Sequence, residues 1–473
     1  MRSMPKTSAV TPNSNIDMLG RTSTATERRG MPPSWHESNV WCHSSHSRFG
    51  AVSRQARGVT RSALAPPSGL GRAGGVATGF ASVVGAGLLG LPAAVLHETG
   101  SAAVLVWLVA AVLCVPMIVL FRDTVLRTPG SSDPLRDAVR SGLGRSWGDR
   151  IPLMFPMVVM IGLPTNAVVA ASNLAAATGL AVPPTVLAAL LLGLAVATNL
   201  AGAAAGARVQ QWGAIALVAV LTAVLVWLLS QPVRPAEVVP TVPALGAVPA
   251  GVLLAFWAFV GFENLTFLAR DLSHPRRDFT AVSLISLGLL VTLAIGLTLA
   301  IAVRSAPVAV DPVTGLVDAA RGLPGGPVGA VVVALAGAGG ILLNALAWVR
   351  GVGLVLDSAA REGLAPAWIA GPDARQPRRA IGVLAGGFAV TLVVLQVFPG
   401  LVVDALAAAS AVFVVIYLIC IVAYARSTGP RPWTLANLAL VPIMLVALWQ
   451  SGLRSAYALV VLFVASLLTR RRH

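Results

Sequence analysis

Charge is what this chain has least of. Charged residues make up 11% of its 473 positions, against about 25% in an ordinary soluble chain. Lysine is almost missing, with Lys6 alone, so arginine carries the positive charge. Cysteine is confined to Cys42, Cys114 and Cys420, the last two inside apolar runs, which argues against a disulfide framework. No Ser/His pair, paired aspartates or HExxH helix lies within an apolar run, so membrane-enzyme chemistry is not expected. Cys42, His43 and His46 lack metal-ligand spacing. Neither a metal nor a cofactor is expected. Residues 1–68 contain no apolar stretch of signal-peptide length. They read as a disordered basic tail, with Met18 and Met31 as alternative starts.

Apolar residues, by contrast, make up 56% of the chain, and runs near the 20 residues needed to cross a bilayer recur almost end to end. The alternation of an outer-membrane barrel is absent. The reading is an all-α polytopic membrane protein with twelve spans, at about 75–97, 101–121, 151–176, 182–201, 209–230, 249–270, 280–303, 328–350, 380–397, 401–425, 432–449 and 454–469.

The formal charge of +16 does not imply a nucleic-acid partner, because the arginines cluster in loops and helix ends. With a cytoplasmic amino terminus, the inner loops and tail hold twenty arginines and the outer side four: Arg234, Arg304, Arg321 and Arg454. That asymmetry places both termini in the cytoplasm and the protein in the plasma membrane. Inner residues 122–150 contain Asp133-Pro134-Leu135, a capped helix start. Asp357, Arg361 and Glu362 are spaced for a second surface helix in the loop 351–378, and outer residues 305–327 are expected to be irregular.

Two spans are unusual. The first is interrupted by Gly85, Gly87 and Gly90, then Pro92; the sixth by Gly261, beside Glu263. A charged residue at a helix centre costs roughly 2.5–3.5 kcal/mol, so Glu263 points to a polar site at mid-membrane depth. Unwound backbone at that depth is tolerated only where it is buried or lines a cavity. Interruptions in the first helix of two successive groups of five indicate an inverted-repeat transporter, with its site where the breaks meet. Free N–H groups and carbonyls there suit the two charges of an amino acid. Close helix packing is the alternative explanation of the glycines.

Gly85-Ala86-Gly87-Leu88 resembles the helix 1 break of the amino acid–polyamine–organocation permeases, and Phe256-Trp257-Ala258-Phe259-Val260-Gly261-Phe262-Glu263 resembles their helix 6 signature. Asp271 to Phe279, Ile416 to Cys420 and Ser455 to Leu459 are similar to the branch of bacterial methionine and branched-chain amino acid exporters, although Asp271, His274 and Thr280 depart from that loop pattern. The resemblance covers about residues 70–472. It implies a leucine-transporter-like 5+5 inverted repeat in residues 69–473, with repeats at about 75–230 and 249–425, and helices 11 and 12 at about 432–469.

It further implies that the backbone of Val84, Gly85, Ala86 and Gly87 binds the substrate carboxylate, and that carbonyls of Phe259, Val260 and Gly261 take the amino group. Trp257 matches an aromatic gate; an ordinary packed tryptophan is the alternative. Glu263 reads as a proton-coupling carboxylate or as a strut holding the broken helix. Asn344 is a supporting polar residue, more a strut than a ligand, with Asn166 and Ser172 as similar candidates. Residues 328–350 contain no Ser or Thr, which argues against a sodium site and leaves the proton as coupling ion, or no ion at all. Small apolar residues (Ala86, Ala258, Val260) favour neutral aliphatic substrates of the methionine, leucine, isoleucine and valine class. The branch implies export, hence amino acid antiport with protons. An importer of the same superfamily and a non-transporting amino acid sensor remain alternatives.

Overall fold

The computed structural model describes residues 70–85, 87–231, 245–304, 310–312 and 314–470. The tail 1–68, Ala86, Arg234 and the side chain of Trp257 lie outside the described residues. Among those described, the long elements are all helices. In chain order they are α1 Arg72–Val84, α2 Gly87–Thr99, α3 Ala103–Arg127, α4 Pro134–Leu143, α5 Arg145–Gly148, α6 Ile151–Thr178, α7 Pro184–Leu200, α8 Ala203–Ser230 and α9 Val248–Phe256. There follow α10 Phe262–Leu268, α11 Pro275–Ala302, α12 Gly315–Arg321, α13 Gly326–Arg361, α14 Arg378–Val397, α15 Val402–Thr428, α16 Pro432–Leu438, α17 Leu440–Gln450 and α18 Ala456–Arg470.

Among the described residues, nine helical stretches are long and apolar enough to cross a membrane, and Pro184–Leu200 is a shorter apolar helix. Interruptions fall beside Gly85 and at Gly261, but not at Gly90 or Pro92, which lie inside the continuous helix α2. α1 stops at Val84 and α2 starts at Gly87, while a single 3-10 turn, Trp257–Phe259, and Gly261 separate α9 from α10.

Two expectations are corrected. Residues 351–361 are not a separate surface helix; they continue α13, which runs 36 residues to Arg361. Nothing breaks the chain there: Val352, Val355 and Leu356 stay buried, and Asp357 pairs with Arg361 one turn on, at 2.7 Å. At 1.5 Å per residue this helix is about 54 Å long, well beyond a hydrocarbon core of about 30 Å. The segment 305–327 is not wholly irregular either, because α12 forms within it and buries Leu316, Val317 and Ala320. The capped helix after Asp133 forms as read: its side chain accepts the Arg136 N–H at 3.0 Å.

Prolines inside helices leave carbonyls without their usual donor. Pro164 in α6 removes the partner of the Met160 carbonyl four residues earlier, and the Thr391 hydroxyl of α14 donates to that oxygen at 2.8 Å. A side chain from a neighbouring helix thus satisfies a backbone group that lipid could not.

Helix α13 is the spine of the site. It packs against α6, α1, α8 and α10, so both interrupted segments meet it. α11 packs along α1 and α3, and α15 along α6 and α4. At one end, Leu70 and the Asp271–Ser273 backbone exchange hydrogen bonds, N–H of Leu70 to Asp271 at 2.7 Å and N–H of Ser273 to Leu70 at 3.0 Å. Arg72 pairs with Asp278 and Arg350 with Asp271, each at 2.8 Å, tying α1 to the first turn of α11 and α13 to the loop before it. Asp271, a departure from the exporter-like loop pattern, thus has a structural partner.

Candidate functional site

The two interruptions face each other. Gly261 has φ +137°, a backbone that side chains avoid. A Cβ added to it would overlap the Ser82 carbonyl oxygen at the end of α1, so only glycine allows this approach. Between the breaks lies a cavity of about 40 Å³, walled by Val83 and Gly85 on one side and by Ala258 and Val260 on the other. Helix α6 contributes Val159, Gly162 and Asn166; α13 contributes Asn344 and Trp348; α15 contributes Phe413. That volume holds a few water molecules, less than an amino acid needs. None of the lining residues is charged.

The end of α1 is held by donors from α13. Asn344 Nδ2 donates to the Ala81 carbonyl at 3.2 Å and to the Ser82 carbonyl at 2.7 Å. Trp348 Nε1 donates to the same Ser82 oxygen at 3.1 Å. These carbonyls are among the groups a broken helix leaves without partners, and here N–H donors occupy them. Asn344 thus bonds the end of α1, and it also lines the cavity. Asn264 of α10 reaches the Ser82 hydroxyl at 3.4 Å, and Gly351 of α13 lies against it so closely that a Cβ would overlap Asn264 Oδ1.

Glu263 is fully buried. Its Oε2 accepts the Gly261 N–H at 3.0 Å and the Tyr417 hydroxyl at 2.5 Å. Its Oε1 has no hydrogen-bond partner among the described residues. The carboxylate thus sits at the amino-terminal end of α10, where the helix dipole favours negative charge, and is clamped from α15.

Beyond Val260 and Phe413 lies a second, more apolar cavity of about 380 Å³, bounded by Leu91, Val252, Leu406 and Met444, with Tyr417 on its wall. Val260 and Phe413 line both spaces and form the partition between them. Edge-on rings brace Phe413: Trp348 at 5.4 Å and Phe155 at 6.4 Å between centroids.

The structure therefore brings Gly85, Val260, Asn344 and Asn166 to one cavity. Val84 and Glu263 are buried and are not among its lining residues, and the Phe259 ring packs edge-on to Trp107 of α3 at 6.3 Å. Ser172 turns back to its own helix, donating to the Val168 carbonyl at 2.9 Å. Trp348, Phe413 and Ser82 were not singled out by sequence reasoning, and Tyr417 entered only as part of the Ile416 to Cys420 resemblance, with no role assigned. Trp348 follows Asn344 by one helical turn, and Tyr417 follows Phe413 likewise, so helical spacing carried a signal for both pairs.

Compared with known proteins, residues 74–469 match the family described as amino acid permease. The chain is also 27% identical over 424 residues to a protein of Escherichia coli strain K12 named L-methionine/branched-chain amino acid exporter, an alignment covering 85% of this chain and 96% of the other.

Proposed function

The chain belongs to the amino acid permease family, and from that premise we propose that it exports neutral aliphatic amino acids of the methionine, leucine, isoleucine and valine class, by proton-coupled alternating access. Membership makes it a multi-pass membrane transporter rather than an enzyme. The finer reading adds twelve crossings, namely the nine long stretches, the shorter α7 and the two interrupted pairs, arranged as two inverted groups of five followed by α16–α18, with both termini on the arginine-rich cytoplasmic side.

The observation that carries the proposal is the juxtaposition of the two breaks across one uncharged cavity. Broken-helix backbone beside Gly85 and Gly261 supplies partners for a carboxylate and an ammonium group. Val83, Val159, Leu163 and Val260 offer surface to an aliphatic side chain, and a net-charged substrate would find no counter-charge among the lining residues. The name of the Escherichia coli relative supports the same substrate class and direction. Because the cavity is smaller than such a substrate, loading requires the helices around it to separate, which is the essence of alternating access. The Ala81 and Ser82 carbonyls accept from Asn344 and Trp348, which supports a cycle without a metal cation there. Glu263, buried beside the break and held by Tyr417, is the group proposed to carry the proton.

The test is efflux from cells expressing the chain, preloaded with a dipeptide that releases methionine or leucine. The expected result is efflux above the empty control and accelerated by an inward proton gradient. Uptake instead of efflux would make the protein an importer. Specific binding with no flux in either direction, in correctly inserted protein, would make it a sensor.

A further inference from the structure

On the arginine-rich side, away from the substrate cavity, a separate cavity of about 520 Å³ opens between the ends of α3 and α15 and the flank of α4. Its inner end is apolar, formed by Leu120, Val139 and Cys420; two arginines, Arg127 and Arg426, line it from the last turns of α3 and α15. Most arginines of this region are spent on carboxylates: Arg122 on Asp123, Arg136 on Asp149 and Glu362, Arg361 on Asp357. Arg127 and Arg426 have no carboxylate partner among the described residues. Arg127 instead lies over the Tyr424 ring, 5.8 Å from its centroid, and Tyr424 is anchored by donating to Asp123 at 2.7 Å. One acidic group, Asp137, also faces the cavity; it accepts from the Ser131 hydroxyl at 2.7 Å.

Arginines in a last turn serve first to offset the helix dipole. That role does not require a walled cavity of this size, nor one that is cationic along one side and apolar at depth. The surroundings are those of a membrane interface: Trp433 lies in the first turn of α16, and it, Leu435 and Leu438 are exposed. α16 packs on α3 and α15, the two helices that carry the arginines.

We infer that this cavity binds a phosphate-bearing anion through Arg127 and Arg426, chemistry shared by an anionic phospholipid headgroup and free phosphate. The amphipathic lining and the exposed apolar face of α16 favour the lipid, whose chains would lie along that face. Binding here goes beyond the transport reading and is tested without measuring transport.

The experiment titrates the purified full chain, in neutral detergent, with phosphatidylglycerol, with phosphatidylcholine of the same chains and with inorganic phosphate, reading thermal stability and native mass. Phosphatidylglycerol is expected to bind and stabilise, and the other two are not. The double variant Arg127→Gln/Arg426→Gln should bind it about thirtyfold more weakly, the scale of two surface arginines at about 1 kcal/mol each. Arg276→Gln/Arg277→Gln, with the same charge change elsewhere on the arginine-rich side, should bind as the parent does. Should the first variant fold poorly, Ala138→Leu narrows the cavity with both charges kept, and should likewise weaken binding. Stabilisation by inorganic phosphate that the double variant loses would overturn the lipid as source in favour of a soluble phosphate. Undiminished phosphatidylglycerol binding in the double variant, equal loss in the control pair, or no binding by the parent would each overturn the site.

Discussion

The Tyr417 hydroxyl of α15 donates to Glu263 Oε2 at 2.5 Å, across 154 positions of sequence. It joins Glu263, beside the helix break, to the wall of the larger apolar cavity, while the smaller cavity between the two breaks lies on the other side of Val260 and Phe413. If Glu263 carries the coupling proton, Tyr417 is its nearest polar contact toward open space. Glu263→Gln should then preserve assembly, because an amide oxygen still accepts from Gly261 and Tyr417, but abolish the response of efflux to an imposed proton gradient. Tyr417→Phe should reduce efflux and lower stability by about 1–3 kcal/mol, the cost of taking a partner from a buried polar group. Gradient-driven efflux at parental rate in Glu263→Gln would reduce Glu263 to a strut.

Asn344 donates twice to the end of α1. Asn344→Ala should cost roughly 1–3 kcal/mol by leaving Ala81 without its side-chain partner and Ser82 with only Trp348. Asn344→Asp should be worse, since a carboxylate would face two carbonyl oxygens. Melting temperature in detergent checks the order parent, Ala, Asp. A variant with Asp melting at or above Ala would show that the two donated bonds do not hold the break.

Gly351 is a packing glycine whose role is visible only in three dimensions. Gly351→Ala puts a methyl onto Asn264 Oδ1 and should destabilise by about 1–3 kcal/mol as α10 and α13 are pushed apart. Gly339→Ala on the same helix, where an added Cβ meets nothing within 4 Å, should be neutral or slightly stabilising through helix propensity. Equal melting temperatures for the two would contradict the close approach.

Asp133 gives a pH dependence outside the spans. Burial raises its carboxyl from 3.8 to about 7, only partly offset by the Arg136 N–H and the Arg136 charge. A carboxyl whose folded value is raised contributes stability that is present at low pH and lost as pH climbs through that value. Between about pH 4 and pH 7, therefore, stability falls, because the unfolded chain ionises at Asp133 while the folded carboxyl still holds its proton. An asparagine side chain at this position would keep the helix cap without that charge. Asp133→Asn should thus melt above the parent at pH 8, with the difference shrinking by pH 5. A difference that grows toward acid pH would reverse the assignment.

Much of this protein is legible in its sequence, for local reasons. Span length follows from bilayer thickness, and the breaks at Gly85 and Gly261 follow from what a missing Cβ permits, so both could be placed from residues adjacent in the chain. The capped start of α4 is likewise written in Asp133-Pro134. Reading failed where local and tertiary signals diverged: residues 351–361 carry loop-like charges, yet buried Val352, Val355 and Leu356 keep them in α13. Two broken helices, and a buried carboxylate beside one of them, needed nothing beyond the order of residues, because hydrophobic run length, glycine and charge act within a few positions. Which groups satisfy the broken ends was settled by packing alone. Asn344 and Trp348 for α1, Tyr417 for Glu263, and the Val260–Phe413 partition depend on helices far apart in the chain meeting face to face, and no periodicity within one helix specifies its partner.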